Sequence, residues 1–300
     1  IASVAQGMIT KGQPMIRHLP MFLSGLTAGR SLPSVAPQPF RDILPTIKQD
    51  VPNPKGKIAI FTGCLLDFVY VDIATDVVKA LNMAGYIVEM PLGQACCGAP
   101  ATYMGDVENA KKAAEMNLNA MEAEKYDYIV SACPTCTHAL RDYVDFFKDD
   151  PEMLKKAEEL RSKTFDFCKL VSMLGGLPDT GDGVPMKVTY HDSCHLNRYL
   201  GVTKEQRELL KATKGVELIE MHDCDKCCGF GGSYSVKFPE MSAPILEEKI
   251  NNIVASGADV VAVDCPGCLL QIRGGLDARG LNNIQVKHTA QIVVEKREKK

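Results

Sequence analysis

An α/β fold of two homologous units, each built on a short parallel sheet, is what this sequence predicts. Two observations carry that prediction. From residue 57 onward, short apolar β-branched runs alternate with segments of helical spacing, the order of a strand–helix–strand protein. Five cysteines also occur twice at nearly the same spacing: Cys64, Cys96, Cys97, Cys133 and Cys136, then Cys194, Cys227, Cys228, Cys265 and Cys268. The gaps are 31, 35 and 2 residues in the first set and 32, 36 and 2 in the second. Ten of twelve cysteines in register mark two copies of one unit.

Residues 1–55 differ in character from the rest. Eight prolines from Pro14 to Pro54 break up short apolar pieces such as Met21-Phe-Leu-Ser-Gly-Leu26. They read as an extended arm packed over the body or over a partner. The first unit is placed at 56–185. Its first strand, 57–62, runs into Gly63-Cys64. Ile73, Val77, Val78 and Leu81 have helical spacing over 71–84, and 86–90 is a second strand leading into Cys96-Cys97-Gly98. An Ala-, Glu- and Lys-rich stretch predicts a helix over 106–124. Cys133 directly follows a third strand at 128–131, and Pro134 suits the first position of a helix over 134–147. The second unit, 186–300, repeats the order, with strands at 187–191, 216–220 and 259–263 and helices near 203–213, 239–256 and 266–279. Val286-Lys-His288 adds a short strand before a last helix. Each cysteine group thus falls just past the carboxyl end of a strand, where open parallel sheets bind ligands.

Thiols in this pattern invite three readings. Disulfide frameworks belong to small secreted chains. Here 300 residues, 46% of them apolar, can bury a core without staples, and no secretory-type apolar segment is present. Structural zinc takes four ligands, commonly from paired CxxC hooks, whereas each unit offers five thiols, two of them consecutive. A cluster of several irons spreads its binding points, so neighbouring thiolates can each reach a different iron. Iron also offsets the repulsion among crowded thiolates.

The motif Cys-x31-Cys-Cys-Gly-x35-Cys-Pro-x-Cys, repeated with one extra residue in each long gap, resembles the paired cysteine-rich CCG domains. These occur in heterodisulfide reductase catalytic subunits and in the iron–sulfur subunits of glycolate oxidase, anaerobic glycerol-3-phosphate dehydrogenase and lactate-oxidising systems. Tyr190-His-Asp-Ser-Cys-His195, Cys227-Cys-Gly-Phe-Gly-Gly-Ser-Tyr-Ser235 and Asp264-Cys-Pro-Gly-Cys268 are most similar to the lactate and glycolate type. The resemblance implies Rossmann-like units related by a pseudo-twofold. It implies a 4Fe–4S cluster of noncubane type in each, at the strand carboxyl ends, with all ten cysteines as ligands. It further implies an electron-transfer subunit of a lactate or glycolate dehydrogenase complex. Electrons would come from a flavoprotein dehydrogenase subunit and pass to a further iron–sulfur or quinone-reducing subunit. The alternative is a heterodisulfide-reductase-like catalytic role, with the noncubane cluster reducing a disulfide.

Other residues near the motifs have assignable roles. His191 and His195 flank Cys194 and are candidates for hydrogen bonds to cluster sulfur, for a proton relay or for direct ligation. His138 reads as an ordinary helix-face residue. Cys224 forms a further CxxC with Cys227, and Cys168 reads as a buried apolar residue. Gly229, Gly231 and Gly232 lack the Lys-Ser/Thr of a phosphate loop and read as room for backbone beside a cluster. No Ser-His-Asp arrangement, paired-carboxylate signature or flavin fingerprint stands out, which assigns the organic chemistry to a partner. A net charge of −3 and a pI near 6.1 give no electrostatic case for nucleic acid. No apolar run approaches the roughly 18 residues that a membrane span needs. A thiol-rich chain without a secretory segment is expected in the cytoplasm, reaching the inner face of the membrane only through a partner.

Overall fold

The computed structural model describes residues 15–16, 31–179 and 183–298. A short antiparallel pairing joins β1 (Met15–Ile16) to β2 (Leu32–Pro33). The centre consists of two four-stranded sheets, parallel throughout. The first contains β3 (Lys57–Ile60), β4 (Ile87–Glu89), β5 (Tyr128–Ser131) and β6 (Thr164–Asp166), in the order β4-β3-β5-β6. The second contains β7 (Met186–His191), β8 (Val216–Leu218), β9 (Val260–Val263) and β10 (Gln285–His288), in the order β8-β7-β9-β10. The strand order is therefore the same in both, as the repeat predicts. Ile58 lies between Val88 and Tyr128, and Val188 between Leu218 and Val260.

The central strands are apolar because both faces of each sheet are covered. All four residues of β9 are buried, as are Ile129, Val130 and Ser131 of β5; such continuous runs are typical of parallel sheets. The Val71–Met83 helix turns Ile73, Ala74, Val77, Val78 and Leu81 inward, at helical spacing. It packs against the Thr289–Glu295 helix of the second unit, where Gln291 Nε2 donates to Asp72 Oδ2 at 2.8 Å. One cluster of buried residues runs from Phe40, Ile58 and Val130 to Val261, Leu269 and Val293. The two sheets thus share an apolar interior.

From residue 31 onward the proline-rich arm packs on both units. The Ser31 N–H donates to the Gly274 carbonyl at 3.1 Å and the Ala36 N–H to the Phe68 carbonyl at 2.7 Å. Phe40 is fully buried. The Met21–Leu26 stretch of the arm, 21–26, lies outside the described residues.

Three features depart from the sequence expectation. The Pro151–Lys163 helix, β6 and the Phe167–Met173 helix were not expected. The first buries only Ala157 and Leu160, which leaves little periodicity to read, and a three-residue strand carries none. Pairing with β5, Ile129 against Thr164 and Ser131 against Asp166, makes β6 a strand. Second, the helix expected over 134–147 ends at Asp142 and tightens to a 3-10 turn at Tyr143–Phe146, where β-branched and aromatic residues are poor helix formers. Third, a π-helical turn, His195–Tyr199, follows Cys194; such turns are rare and concentrate at functional sites.

Asp67 is fully buried and accepts from the Arg41 N–H (3.0 Å), from Arg41 Nε (2.7 Å) and from Arg41 Nη2. This pair fastens the arm to the first unit. Arg41→Ala leaves the carboxylate only the backbone donor among these. The guanidinium side chain is 36% exposed, so solvent screening lowers the expected loss to about 2 kcal/mol, below the roughly 3–5 kcal/mol of a fully buried pair. A urea midpoint that falls with an unchanged slope would show it.

Candidate metal centre

Each cysteine is positioned by the element that follows a strand. Cys64 lies in the first turn of the Gly63–Phe68 helix after β3. Gly63 has φ +56°, and a Cβ there would sit 2.9 Å from Cys136 Sγ. Only glycine lets that turn lie against the CxxC thiol. Cys96 and Cys97 occupy the loop after β4, and Cys227 and Cys228 the loop after β8. Cys133 and Cys265 are the N-cap residues of the Pro134–Asp142 and Pro266–Ala278 helices, with proline in the first turn of each. Cys136 and Cys268 follow within those first turns, where the neighbouring thiols and then burial push both well above the usual thiol range.

Different side chains fix the two double-cysteine loops. In the first unit, Asn117 Oδ1 accepts from the Ala95 N–H (2.8 Å), and its Nδ2 donates to the Cys96 carbonyl (3.0 Å) and to Tyr143 Oη (2.9 Å). The Tyr143 hydroxyl then donates to the Cys97 carbonyl at 3.0 Å. Both side chains are buried. In the second unit, Ser242 Oγ donates to the Gly229 carbonyl at 2.7 Å, and buried Lys249 donates to the Asp223 and Cys224 carbonyls at 2.6 and 3.3 Å. The Gly229 N–H donates to Cys227 Sγ at 3.3 Å.

The thiols are not in two islands. The thiol of Cys64 interacts with that of Cys96, Cys96 with Cys97, Cys97 with Cys136 and Cys136 with Cys133. On the other side Cys227 interacts with Cys228 and Cys268 with Cys265, and a hydrogen bond joins Cys228 to Cys268 (Sγ–Sγ 3.3 Å). Cys133 and Cys265 interact with each other, which connects the two sets. Cys194 stands outside this run, within electrostatic reach of Cys265 and Cys228.

Three thiolates are spaced along the run, with raised thiols between them. Cys96 is drawn down to about 2 by the hydrogen bond from Cys64 and then that from Cys97. Cys64 is pushed far up, first by its bond to Cys96 and next by burial. Cys265 is held well below the thiol range by bonds from Cys133 and Cys268, and Cys228 by bonds from Cys227 and Cys268. Shared protons thus keep neighbouring thiolates apart. Metal binding requires deprotonated thiols and displaces such protons. An all-sulfur donor set selects soft or borderline metals, iron–sulfur clusters and zinc among them. Nine thiols in one run, with Cys194 beside it, exceed the four that one tetrahedral zinc uses, and they fit a group with several metal ions.

The flanking residues sort differently from the sequence reading. His191 faces the second set: one ring nitrogen, Cys228 Sγ and Cys268 Sγ lie within 4.8 Å of one another. His195 Nδ1 is 3.6 Å from Cys194 Sγ, and its Nε2 is 2.9 Å from Tyr103 Oη. Burial lowers His195 and pushes Tyr103 up to about 12. His138 is more than a helix-face residue. It stacks on Tyr199 with centroids 4.6 Å apart; His195 also stacks on Tyr199, at 5.2 Å, and lies 5.8 Å from His138. Tyr103 and His138 of the first unit therefore meet His195 and Tyr199 of the second beside Cys194. Cys224 does not join the thiols; its sulfur lies 3.6 Å from Arg207 Nη2.

Sequence reasoning missed a buried polar junction behind the CxxC turns. Asp264, fully buried, accepts from Tyr190 Oη at 2.5 Å and from Cys168 Sγ at 3.5 Å. His288 Nδ1 accepts from the Ala290 N–H, so the proton is on Nε2, 3.2 Å from the Asp264 carbonyl. Burial and then the Asp264 charge push Asp166 well above the carboxylate range. Cys168 is buried, as expected, but its thiol serves this junction between units. The signal that could have revealed the junction is the repeat itself: Asp264 and His191 stand where the first unit has Ala132 and Phe61.

The sequence pattern of the family described as Cysteine-rich domain, CCG, matches residues 58–141 and 188–273. Lactate utilization protein A of Shouchella clausii (strain KSM-K16) is 39% identical over 240 residues, 80% of this chain and 99% of that protein. The protein of the same name from Bacillus subtilis (strain 168) is 36% identical over 238 residues, 79% and 98% of the respective chains. A hypothetical protein from Helicobacter pylori shares the fold, with a TM-score of 0.57 at 11% identity over 87% of this chain; the match spans about half of that structure, 54%.

Exposure and thiolate character coincide at Cys96, whereas Cys133, Cys136, Cys265 and Cys268 are buried. In the metal-free, reduced protein, iodoacetamide labels Cys96 first. Because its pKa is lowered, that labelling persists at about pH 6, where ordinary thiols react little. Peptide mass spectrometry after a brief exposure reads the order; first modification at Cys268 would contradict it.

Proposed function

This chain belongs to the cysteine-rich CCG domain family, and we propose that it is the iron–sulfur electron-transfer subunit of a lactate-oxidising system. In this reading electrons arrive from a flavoprotein dehydrogenase subunit and leave toward a quinone-reducing subunit or another carrier. The observation that carries the reading is the contact of the two five-thiol sets at Cys133 and Cys265. Two metal centres held by these sets would be direct neighbours, as a relay requires. The names of the relatives supply lactate as the substrate of the system.

The ten cysteines would hold two 4Fe–4S clusters, one per unit, and such clusters supply one-electron exchange at potentials set by ligands, hydrogen bonds and burial. Asn117 and Tyr143 keep Cys96 and Cys97 in place, and Ser242 and Lys249 do so for the loop of Cys227 and Cys228. The Gly229 N–H and His195 place donors beside Cys227 and Cys194. Removing hydride from a 2-hydroxy acid calls for a base and a flavin or nicotinamide acceptor. Thiols bound to metal provide neither, so that step is assigned to the partner. No helix among the described residues is long and apolar enough to cross a membrane. We place the chain in the cytoplasm, with any membrane attachment made by its partners.

Protein purified without oxygen should contain about eight irons and about eight acid-labile sulfides per chain, as two such clusters require. About four of each would mean that one set is filled, and stoichiometric zinc without iron would overturn the reading. Cys228→Ser should lower the iron content and stop electron delivery to a quinone while the partner's flavin is still reduced by lactate; Cys168→Ser should leave both intact. Stopped-flow mixing of the isolated chain with lactate should leave its visible absorption unchanged. Bleaching without a partner would place the oxidation in this chain and end the relay reading.

A further inference from the structure

We propose that His191 supplies a nitrogen ligand to the metal held by Cys228 and Cys268, so that the second centre has mixed sulfur and nitrogen ligation and the first has sulfur alone. The proposal rests on the iron–sulfur reading above. His191 ends β7 and is 1% exposed. Neither of its ring nitrogens has a hydrogen-bond partner. Burying both polar atoms without a hydrogen bond is costly; the Cys228 sulfur interacts with the ring, and the flanking polar side chains offer no relief. The Tyr190 hydroxyl is committed to Asp264 (2.5 Å), and the Asp192 carboxylate is held by Arg207 at 2.9 and 2.8 Å. Successive strand residues point to opposite faces; Tyr190 takes the side of the buried junction and His191 the side of the thiols.

What His191 does face is a pair of sulfurs ready to share a metal. Cys228 and Cys268 Sγ are 3.3 Å apart, and the ring nitrogen completes a trio within 4.8 Å. Two thiolates bound tetrahedrally at about 2.3 Å lie about 3.8 Å from each other, so small adjustments suffice. The corresponding residue of the first unit is Phe61, fully buried and without a donor atom. A phenyl ring there and an imidazole here are a built difference between two otherwise matched sites.

The difference sets a direction. Histidine ligation raises the potential of an iron–sulfur centre relative to all-thiolate ligation, because imidazole is neutral. The first centre would then give one electron to the second, the first being oxidised and the second reduced, with no bond or proton changing place. Electrons would enter through the first unit and leave through the second.

Pulsed electron–nuclear double resonance on protein labelled with 15N only at histidine, in a paramagnetic redox state, tests the assignment. A strongly coupled 15N is expected in the unaltered protein, lost in His191→Phe and kept in His222→Ala, a change at an exposed site. The more positive midpoint in a redox titration should shift downward in His191→Phe, toward the other. No strongly coupled nitrogen in the unaltered protein, or a signal that survives in His191→Phe, would overturn the proposal. Absence of the coupling in the unaltered protein overturns the proposal even if the variant fails to fold, and a coupling that persists in His195→Ala excludes the histidine beside Cys194 as its source. Iron and sulfide analysis of the same sample separates this proposal from the reading beneath it. If iron is absent, that reading fails, and cobalt(II) added to the metal-free chain still tests His191: visible bands that differ between unaltered protein and His191→Phe support ligation, and identical bands refute it.

Discussion

The approach of Cys133 to Cys265, close enough for the two thiols to interact, is the constraint around which the thiol sites are arranged. Each residue follows the third strand of its sheet and caps the next helix. Bringing these two caps together requires the carboxyl ends of β5 and β9 to meet, and with them every loop that carries a thiol. The shared apolar interior holds the sheets in that relation. The arm, fastened through Arg41 to Asp67 and through Ser31 to Gly274, lies over both units.

Crowding that many thiols has an electrostatic cost, since adjacent thiolates repel. The chain limits it by letting protonated sulfurs donate to deprotonated ones, with Cys96, Cys228 and Cys265 as acceptors. A bound metal would take over that role, and loading would release protons. Behind the thiols a second set of acids is managed differently. Asp264 is surrounded by Tyr190, Cys168 and His288, whereas Asp166 tends to the neutral form. Residues 166 and 168 belong to the first unit and 264 and 288 to the second, so this polar junction also fixes the units against each other.

The two units share a strand order but not their supporting side chains. Asn117 and Tyr143 hold one double-cysteine loop, and Ser242 and Lys249 the other. An α-helical turn carries Cys64, whereas Cys194 opens onto a π-helical turn that presents His195 and Tyr199 to His138 and Tyr103. Phe61 and His191 differ in the same sense. A repeated scaffold thus carries two unlike thiol sites.

The sequence alone determined the repeat, the ten cysteines and the strand–helix alternation, because these are written in local spacing. A strand of β-branched residues followed at once by Cys-Pro-x-Cys fixes where a thiol lies relative to its own sheet, whatever the rest of the chain does. Short or weakly periodic elements escaped it: β6 is a strand only through β5, and the Pro151–Lys163 helix shows two buried residues. Only the tertiary structure decided that the two thiol sets touch, that Cys168 reaches Asp264, and that His138 stacks across to Tyr199. Cys133 and Cys265 are 132 residues apart in the chain. No spacing rule encodes their meeting, which follows from how two separately specified sheets pack on one apolar core.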